Sequence, residues 1–247
     1  ELVAKLQLVP TEKDPLRIVL DKGIHEIVGY TYENCWHPWK SVAVSCSHIT
    51  FVGKGKAQTT ILGGFFVVLQ QNVKFEGLTI TNPHQYGCGL FLIDSTVGVL
   101  QCAVKECGSN GMFVDDGATV TATQCEFMEN HSSGVYCFGA NTKARLNECT
   151  MHHNGGNGLI LTIHAVVDLH GTKTDIHSNK HFGMGATRNA KVNIHLPSQY
   201  NTTHDNYAGN QGQNRGGSIA NINADGTFTH VEEVEVDWSD DGGSDEE

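Results

Sequence analysis

The chain has 247 residues, of which 39% are hydrophobic and 17% are charged, and its formal net charge is −11. Nine of its 27 acidic residues follow His230, so the preceding body is close to neutral and lacks the basic stripe that binds nucleic acid or an anionic membrane surface. No apolar run is long enough to span a bilayer as a helix, and no signal peptide opens the sequence. We therefore expect no nucleic-acid partner and no membrane partner.

The first 17 residues are predicted to form an N-terminal cap. A turn with Pro10 and Pro15 precedes the first strand-like run, which begins at Ile18. A cap is needed because the open end of a parallel sheet invites pairing with another edge.

An aromatic segment follows the first coil. Two tyrosines, Tyr30 and Tyr32, and two tryptophans, Trp36 and Trp39, lie within ten residues. Trp36 and Trp39 can stack on sugar rings or anchor a protein partner, and the alternative is that these rings cover the flank of the early coils.

Two columns of residues recur along the chain every 23 to 25 residues, and the last step is 27. In the first column, an apolar residue or His is followed by any residue, then by Asn, and then by a short turn that ends in Gly. Its copies begin at Met128, His152, His177 and His204, with Asn130, Asn154, Asn179 and Asn206 as the asparagines. The second column contains Cys102, Cys125, Cys149 and Thr174. A repeat this short indicates a solenoid in which each unit packs only against its neighbours.

The local pattern selects the kind of solenoid. Runs of four to six residues rich in Val, Ile, Phe and Thr alternate with period two, which predicts strands and leaves no room for helices. We therefore predict an all-β, single-stranded, right-handed parallel β-helix of eight or nine coils over residues 18–230. Stacked turn asparagines would pass amide hydrogen bonds from one coil to the next.

Asp94 and Asp116 are the candidate catalytic residues. Counted from the repeated Gly, they occupy equivalent strand ends on consecutive coils, about 5 Å apart if the coils stack in register. Two carboxylates at that separation suit retaining glycoside hydrolysis or a cation site. The structural alternative is that they accept backbone N–H groups at a turn.

The eight cysteines lack the spacing of a small disulfide-bonded domain. Cys102, Cys125 and Cys149 fall in one inward column and are expected to be packed, unpaired thiols. This favours an intracellular, cytoplasmic location, with secretion as the alternative.

A mixed surface is predicted around Tyr136, Phe138, Arg145 and Arg188, near the ends of the middle strands. On a rigid solenoid such residues spread along one extended face, which suits a peptide or protein partner.

The histidines His152, His177 and His204 form an exterior column. Imidazoles on neighbouring coils could share a Zn²⁺ or Cu²⁺ ion, or stack as surface residues. No Cys or carboxylate is obviously placed to complete a metal site, so the expectation is no cofactor, with a divalent metal ion as the alternative.

Residues 231–247 are strongly acidic and predicted to be a flexible, solvated tail. A binding role for this tail is the minority interpretation.

The chain resembles a known group of proteins. The segments Gly53-Lys54-Gly55, 59–64 and 73–80 are similar to the second and third coils of pectin-lyase-like β-helix proteins. Residues 107–160 are similar to the β-helix repeats of carbohydrate-binding proteins and sugar hydrolases, and of eukaryotic adaptors of the F-box and Shc-SH2-binding type. The resemblance covers residues 18–206 and implies the fold more strongly than a function, because such scaffolds carry many functions.

The catalytic signatures of these relatives are largely missing. Polygalacturonase-like hydrolases carry four short motifs, of which this chain has only Asp115-Asp116. We therefore predict a non-catalytic module that binds a protein partner within a larger intracellular protein. The alternative is a domain that binds or cleaves a polysaccharide near Asp94 and Asp116.

Overall fold

The structure is a computed structural model that describes residues 10–27, 40–195, 202–223, 225 and 227–230. Within these residues the chain forms 26 β-strands and no helix, so no helix in this part could cross a bilayer. Trp36 and Trp39, the first nine residues of the predicted cap and the acidic tail at 231–247 lie outside the described residues.

The strands belong to three parallel sheets, which we name A, B and C. Sheet A contains β1 (Leu16–Val19), β4 (Ile49–Val52), β7 (Val73–Glu76), β10 (Thr96–Leu100), β13 (Thr119–Thr123), β16 (Lys143–Asn147), β19 (Val166–His170), β22 (Lys191–Ile194), β25 (Ser218–Ile222) and β26 (Phe228–His230). Sheet B contains β2 (Gly23–Glu26), β5 (Thr59–Leu62), β8 (Thr79–Thr81), β11 (Ala103–Lys105), β14 (Glu126–Met128), β17 (Thr150–His152), β20 (Asp175–His177) and β23 (Thr203–His204). Sheet C contains β3 (Ser41–Val44), β6 (Gly64–Val68), β9 (Leu90–Ile93), β12 (Met112–Asp115), β15 (Val135–Phe138), β18 (Leu159–Thr162), β21 (Phe182–Thr187) and β24 (Gly209–Asn214).

Each coil of the solenoid contributes one strand to A, then B, then C. The described strands make eight complete coils separated by seven steps, and β25 opens a ninth. Every strand pairs in parallel with the strand one coil away, except β26, which runs antiparallel to β25. The predicted parallel β-helix is thus confirmed, and its first strand begins at Leu16, two residues before the predicted boundary.

The core is a set of stacked columns inside the solenoid. Strands alternate between buried and outward-facing residues, as in β16, where Ala144 and Leu146 point inward. Because neighbouring coils pair in register, Ala144 lies between Val120 and Val167. Like residues therefore pack on like residues through the length of the interior.

The predicted cysteine column is part of this core. Cys102, Cys125 and Cys149 are unpaired, and each is at most 1% exposed. Burial raises the pKa of the Cys102 thiol to about 12, which disfavours the reactive thiolate.

An asparagine ladder connects the later coils at the turn between sheets B and C. The Asn130 Nδ2 group donates to Asn154 Oδ1 at 2.9 Å, Asn154 Nδ2 donates to Asn179 Oδ1 at 2.9 Å, and Asn179 Nδ2 donates to Asn206 Oδ1 at 2.8 Å. Each amide oxygen also accepts the backbone N–H of the asparagine before it, as Asn179 Oδ1 does from Asn154 at 3.1 Å. The ladder stops at Cys107, whose backbone N–H donates to Asn130 Oδ1.

The left-handed residue at these turns is not the asparagine itself. Positive φ angles occur one position earlier, at Glu129 (56°), His153 (56°), Ser178 (56°) and Asp205 (53°). The asparagine therefore serves as the hydrogen-bonding residue of the turn, and its predecessor provides the sharp change of direction.

Replacing Asn154 by Leu is expected to lower the free energy of unfolding by about 3 kcal/mol, because buried donors and acceptors on both neighbouring coils would lose their partners. Denaturant unfolding measures this change. Asn147→Leu is the control, because Asn147 lies on the outward face of β16 and should tolerate the change. Equal stability of Asn154→Leu and the native chain would contradict the ladder.

Thiol titration tests the cysteine column. We expect half-buried Cys46 to react in the folded protein, while Cys102, Cys125 and Cys149 react only after denaturation. Recovery of a disulfide among these three residues would contradict their placement as unpaired core thiols.

Candidate binding groove on sheet C

A groove of about 650 Å³ runs along the outer face of sheet C in the later coils. Its floor comes from the outward side chains of β15, β18, β21 and β24, which are Tyr136, Phe138, Ile160, Thr162, Thr187 and Asn214. Register places them in two columns: Tyr136 pairs with Ile160, and Phe138 pairs with Thr162. The floor therefore combines aromatic rings with hydroxyl and amide groups.

One wall of the groove is made by the turns between sheets B and C. These turns are lined by small residues, including Ser132, Gly155 and Gly156, with His131 and His181 among them. A Cβ atom added to Gly155 would lie 2.1 Å from the carbonyl oxygen of His131. Only glycine fits this approach between coils, and the short side chains leave the groove open above the strands.

The other wall is the corner where sheet C leads into sheet A. Arg188 and Arg215 follow β21 and β24 there, with φ angles of 51° and 50°, and both are exposed. Among the described residues neither guanidinium group has a carboxylate partner within ion-pair distance. The positive charge of this wall is therefore available to a ligand.

The positive charge of Arg188 in this wall affects the pKa of Tyr136. Burial raises the pKa of Tyr136, while the charge of Arg188 opposes that rise and Asp115 reinforces it. Tyr136 is therefore a neutral phenol near neutral pH, able to donate or accept a hydrogen bond beside a cation.

The aromatic floor continues toward the earlier coils. Phe113 meets Tyr136 edge to face with ring centroids 5.1 Å apart, and Phe91 stacks on Phe113 at 4.8 Å. Phe66 lies 5.5 Å beyond Phe91. This row is the outer counterpart of the buried columns and gives sheet C an apolar outer surface over several coils.

Asp94 and Asp116 occupy the same corner as Arg188, but on earlier coils. The pairing of Ile93 with Asp115 places the two aspartates in register, as the spacing predicts. Both are exposed and left-handed, with φ angles of 40° and 49°. The corner thus changes from acidic in the third and fourth coils to basic in the seventh and eighth coils. Asp116 lies three coils from Arg188, which is a distance of about 14 Å along the solenoid.

The predicted surface of Tyr136, Phe138, Arg145 and Arg188 is divided by the structure. Tyr136, Phe138 and Arg188 meet in the groove, whereas Arg145 lies in the middle of β16, on the outer face of sheet A. Arg145 pairs in register with Asp168 on β19, not with any groove residue. The expectation of one shared face was wrong because the repeat period does not specify which of the three sheets a residue joins.

The three histidines form a stack on the outside of sheet B. The rings of His152 and His177 are parallel within 5° at 5.0 Å, and those of His177 and His204 within 6° at 5.1 Å. The predicted column is therefore in register, including His204 after the 27-residue step.

The two ends of this stack differ electrostatically. Burial lowers the pKa of His152, and His177 and His153 add to that effect. A hydrogen bond from His204 Nδ1 to Asp205 Oδ2, at 2.8 Å, raises the pKa of His204, and Asp175, 3.1 Å from Nε2, adds to the rise.

The geometry of the stack differs from that of imidazoles that share one metal ion. Zinc binds imidazole nitrogens at about 2.0–2.1 Å, and parallel rings held 5 Å apart direct their in-plane lone pairs along separate planes. Across the described residues no group of three or more His, Cys, Asp or Glu side chains is disposed to hold a metal ion.

Arg215 and the polar residues of the groove were not predicted as site residues. A signal was present, because Thr187-Arg188 and Asn214-Arg215 are polar–arginine pairs that end equivalent strands. An alignment of the repeats at the ends of these strands would have predicted that the two arginines lie on neighbouring coils.

A chain whose three parallel sheets wind into a single solenoid is a parallel β-helix protein. Residues 63–232 match the right handed beta helix region family, and the chain belongs to that family. No curated protein matches the chain in sequence.

Three solved structures are similar to this chain at low sequence identity. The Agl-KA catalytic domain is 14% identical, with a TM-score of 0.51 over 86% of this chain and 43% of that one. Geobacillus virus E2 ORF18 is 10% identical, with a TM-score of 0.48 over 87% and 55% of the two chains. The A-module of the Azotobacter vinelandii mannuronan C-5 epimerase AlgE6 is 13% identical, with a TM-score of 0.46 over 87% and 75%. The chain spans about half the length of the first two structures, and the likeness to the Agl-KA catalytic domain concerns the fold alone.

An NMR titration of the imidazole groups tests the histidine stack. We expect His204 to gain its proton at a higher pH than His152, because the pKa of His204 is raised and the pKa of His152 is lowered. Asp205→Asn should bring the pKa of His204 down while leaving that of His152 nearly unchanged. Protonation of His152 before His204 would contradict the described contacts.

Proposed function

We propose that the chain is a non-catalytic binding module and that the sheet C groove binds an acidic polysaccharide. The observation that carries this proposal is the meeting of Tyr136 and Phe138 with Arg188 and Arg215 along one groove. A uronic-acid chain presents the complementary groups, namely flat sugar faces, hydroxyl groups and one carboxylate per ring.

Each part of the groove suits one of these groups. The aromatic rings can pack against sugar faces, and the fork of an arginine guanidinium can bind a carboxylate through two hydrogen bonds. Thr162, Thr187 and Asn214 supply donors and acceptors for sugar hydroxyl groups. The groove follows the solenoid axis, so successive sugar units can meet successive coils.

Binding without cleavage is favoured by the distribution of carboxylates. No Asp or Glu is among the described residues that line the groove. Glycoside hydrolysis needs an acid and a second carboxylate on either side of the bond, and Asp94 and Asp116 lie on earlier coils at the corner. Their exposed, left-handed positions suit turn residues.

Isothermal titration calorimetry with a hexamer of galacturonic acid tests the proposal. We expect the double variant R188Q/R215Q to bind at least tenfold more weakly than the native chain, because two charge-assisted contacts are lost. K143Q/R145Q is the matched control, since it removes two positive charges from the exposed face of β16 in sheet A and should bind like the native chain.

Two results would contradict this function. One is equal loss of affinity in K143Q/R145Q and R188Q/R215Q, which would indicate only a general charge effect. The other is release of reducing ends from the hexamer that Asp116→Asn abolishes, which would show a catalytic domain instead.

A protein partner is the second candidate, because the outer face of sheet A is a broad polar surface. It carries Arg145 beside Asp168, and Asp168 Oδ1 is 2.9 Å from His195 Nε2. A flat face of mixed charge suits a protein surface, and an intracellular location would keep the thiols reduced. A purified partner whose binding is lost in Arg145→Glu and retained in R188Q/R215Q would support it, whereas retention in Arg145→Glu would contradict it.

A further inference from the structure

One column of residues follows the corner where sheet C leads into sheet A. The register of the paired strands, continued by one or two residues, aligns the first corner residue of each coil with that of the next. From the third coil to the eighth the column contains Asp94, Asp116, Gly139, Ile163, Arg188 and Arg215. The corner is therefore acidic in two coils, uncharged in the next two and basic in the last two.

Ile163 is the unusual residue of this column. Its φ angle of 52° lies in the left-handed region, where a β-branched side chain is strained. Among the described residues it is the one β-branched residue with a positive φ angle. Gly139 and Asn189 hold other left-handed positions at this corner, and their residue types adopt that conformation at lower cost. Folding alone would therefore favour glycine or asparagine at position 163.

Core packing does not explain this isoleucine. In the described part of the chain, the half-buried apolar residues that pack against the core all precede residue 47. Ile163 is half-buried at the edge of the groove, directly after Thr162 of the floor and one coil before Arg188 of the wall. A strained residue without a role in the core is typical of a functional site.

The charges along the corner limit where a ligand can carry carboxylates. A carboxylate above the fourth or fifth coil lies within the screening length of about 8 Å from Asp116 and is repelled. Arg188 is about 14 Å from Asp116 along the solenoid, beyond this length, and does not offset the repulsion. A carboxylate above Ile163 would lose water without gaining a partner. An alkyl ester avoids both costs, because it is neutral and buries a methyl group against the isoleucine.

We propose that the groove selects a partly esterified uronic-acid chain. Two free carboxylates bind Arg188 and Arg215, and an esterified carboxyl group contacts Ile163. Ile163 and Asp116 are then the residues that determine specificity. This inference rests on the proposed function, because it specifies the form of acidic polysaccharide that the same groove binds.

Isothermal titration calorimetry with three galacturonic acid hexamers tests this selectivity. One hexamer is the free acid, and the other two carry methyl esters on three contiguous units at one end or at the other. These two isomers cover both directions of the chain along the groove. We expect one isomer to bind about fivefold more tightly than the free acid. Equal or weaker binding of both isomers would overturn the selectivity.

I163N separates a ligand contact from a structural role. Asparagine adopts the left-handed conformation readily, so the midpoint of thermal unfolding should equal or exceed that of the native chain. The ratio of the affinities for the favoured isomer and the free acid should fall toward one. L69N is the matched control, because Leu69 is an exposed apolar residue at the same corner in the second coil, with a φ angle of 57°. A lower unfolding midpoint in I163N, or an unchanged affinity ratio, would overturn the role of Ile163.

D94N/D116N tests the acidic part of the corner. This variant should raise the affinity for the free acid about threefold at low salt, and raise that for the favoured isomer less. E106Q/E129Q is the matched control, because it removes two exposed carboxylates from left-handed positions on consecutive coils at the opposite corner of sheet C. Equal gains in the two variants would overturn the role of Asp116.

The same titrations distinguish this selectivity from the proposed function. If no hexamer binds to the native chain, the proposed function and the selectivity both fail. If the free acid binds and R188Q/R215Q weakens it, while neither ester isomer binds more tightly than the free acid, the selectivity alone is wrong.

Discussion

The in-register hydrogen bonding between coils is the constraint on which the rest of the structure depends. Backbone pairing sets the rise of about 4.8 Å per coil, and the asparagine ladder fixes the register at one turn. A shift of one residue in the register would move a buried amide away from its partners and leave donors and acceptors unpaired on two coils. Such a shift would therefore lower the free energy of unfolding. Each side chain therefore lies directly above its counterpart on the preceding coil. The same rise from coil to coil produces the cysteine column, the histidine stack and the arginine pair.

Rigid stacking also explains how a groove arises on a regular scaffold. The inward columns must be apolar and close-packed, but outward residues and corners can vary from coil to coil. The corner after sheet C is acidic at Asp116 and basic at Arg188 and Arg215, although the backbone is left-handed at all three residues. Charge can thus be patterned along the solenoid without disturbing its core, and the small residues opposite the arginines open the space between them into a groove.

The sequence predicted those features that depend on register alone. The spacing of Asn154 and its equivalents, the inward cysteines and the alignment of Asp94 with Asp116 are properties of a single repeat period. What it could not predict was the angular position of a residue around the coil, because strands in sheets A, B and C have the same alternation. Arg145 was therefore grouped with Tyr136, and Arg215 was missed. The groove itself depends on the absent side chain of Gly155 and on contacts across turns, which no periodic pattern encodes.

Chemical-shift mapping of the backbone amides during a titration with the galacturonic acid hexamer locates the ligand-binding surface, which we propose to be the sheet C groove. We expect chemical-shift changes confined to β15, β18, β21 and β24 and to the adjoining corner at Arg188 and Arg215. Sheet A and the histidine stack on sheet B should be unaffected. Perturbations centred on Arg145 and Asp168, or on Asp94 and Asp116 with none in the groove, would contradict it.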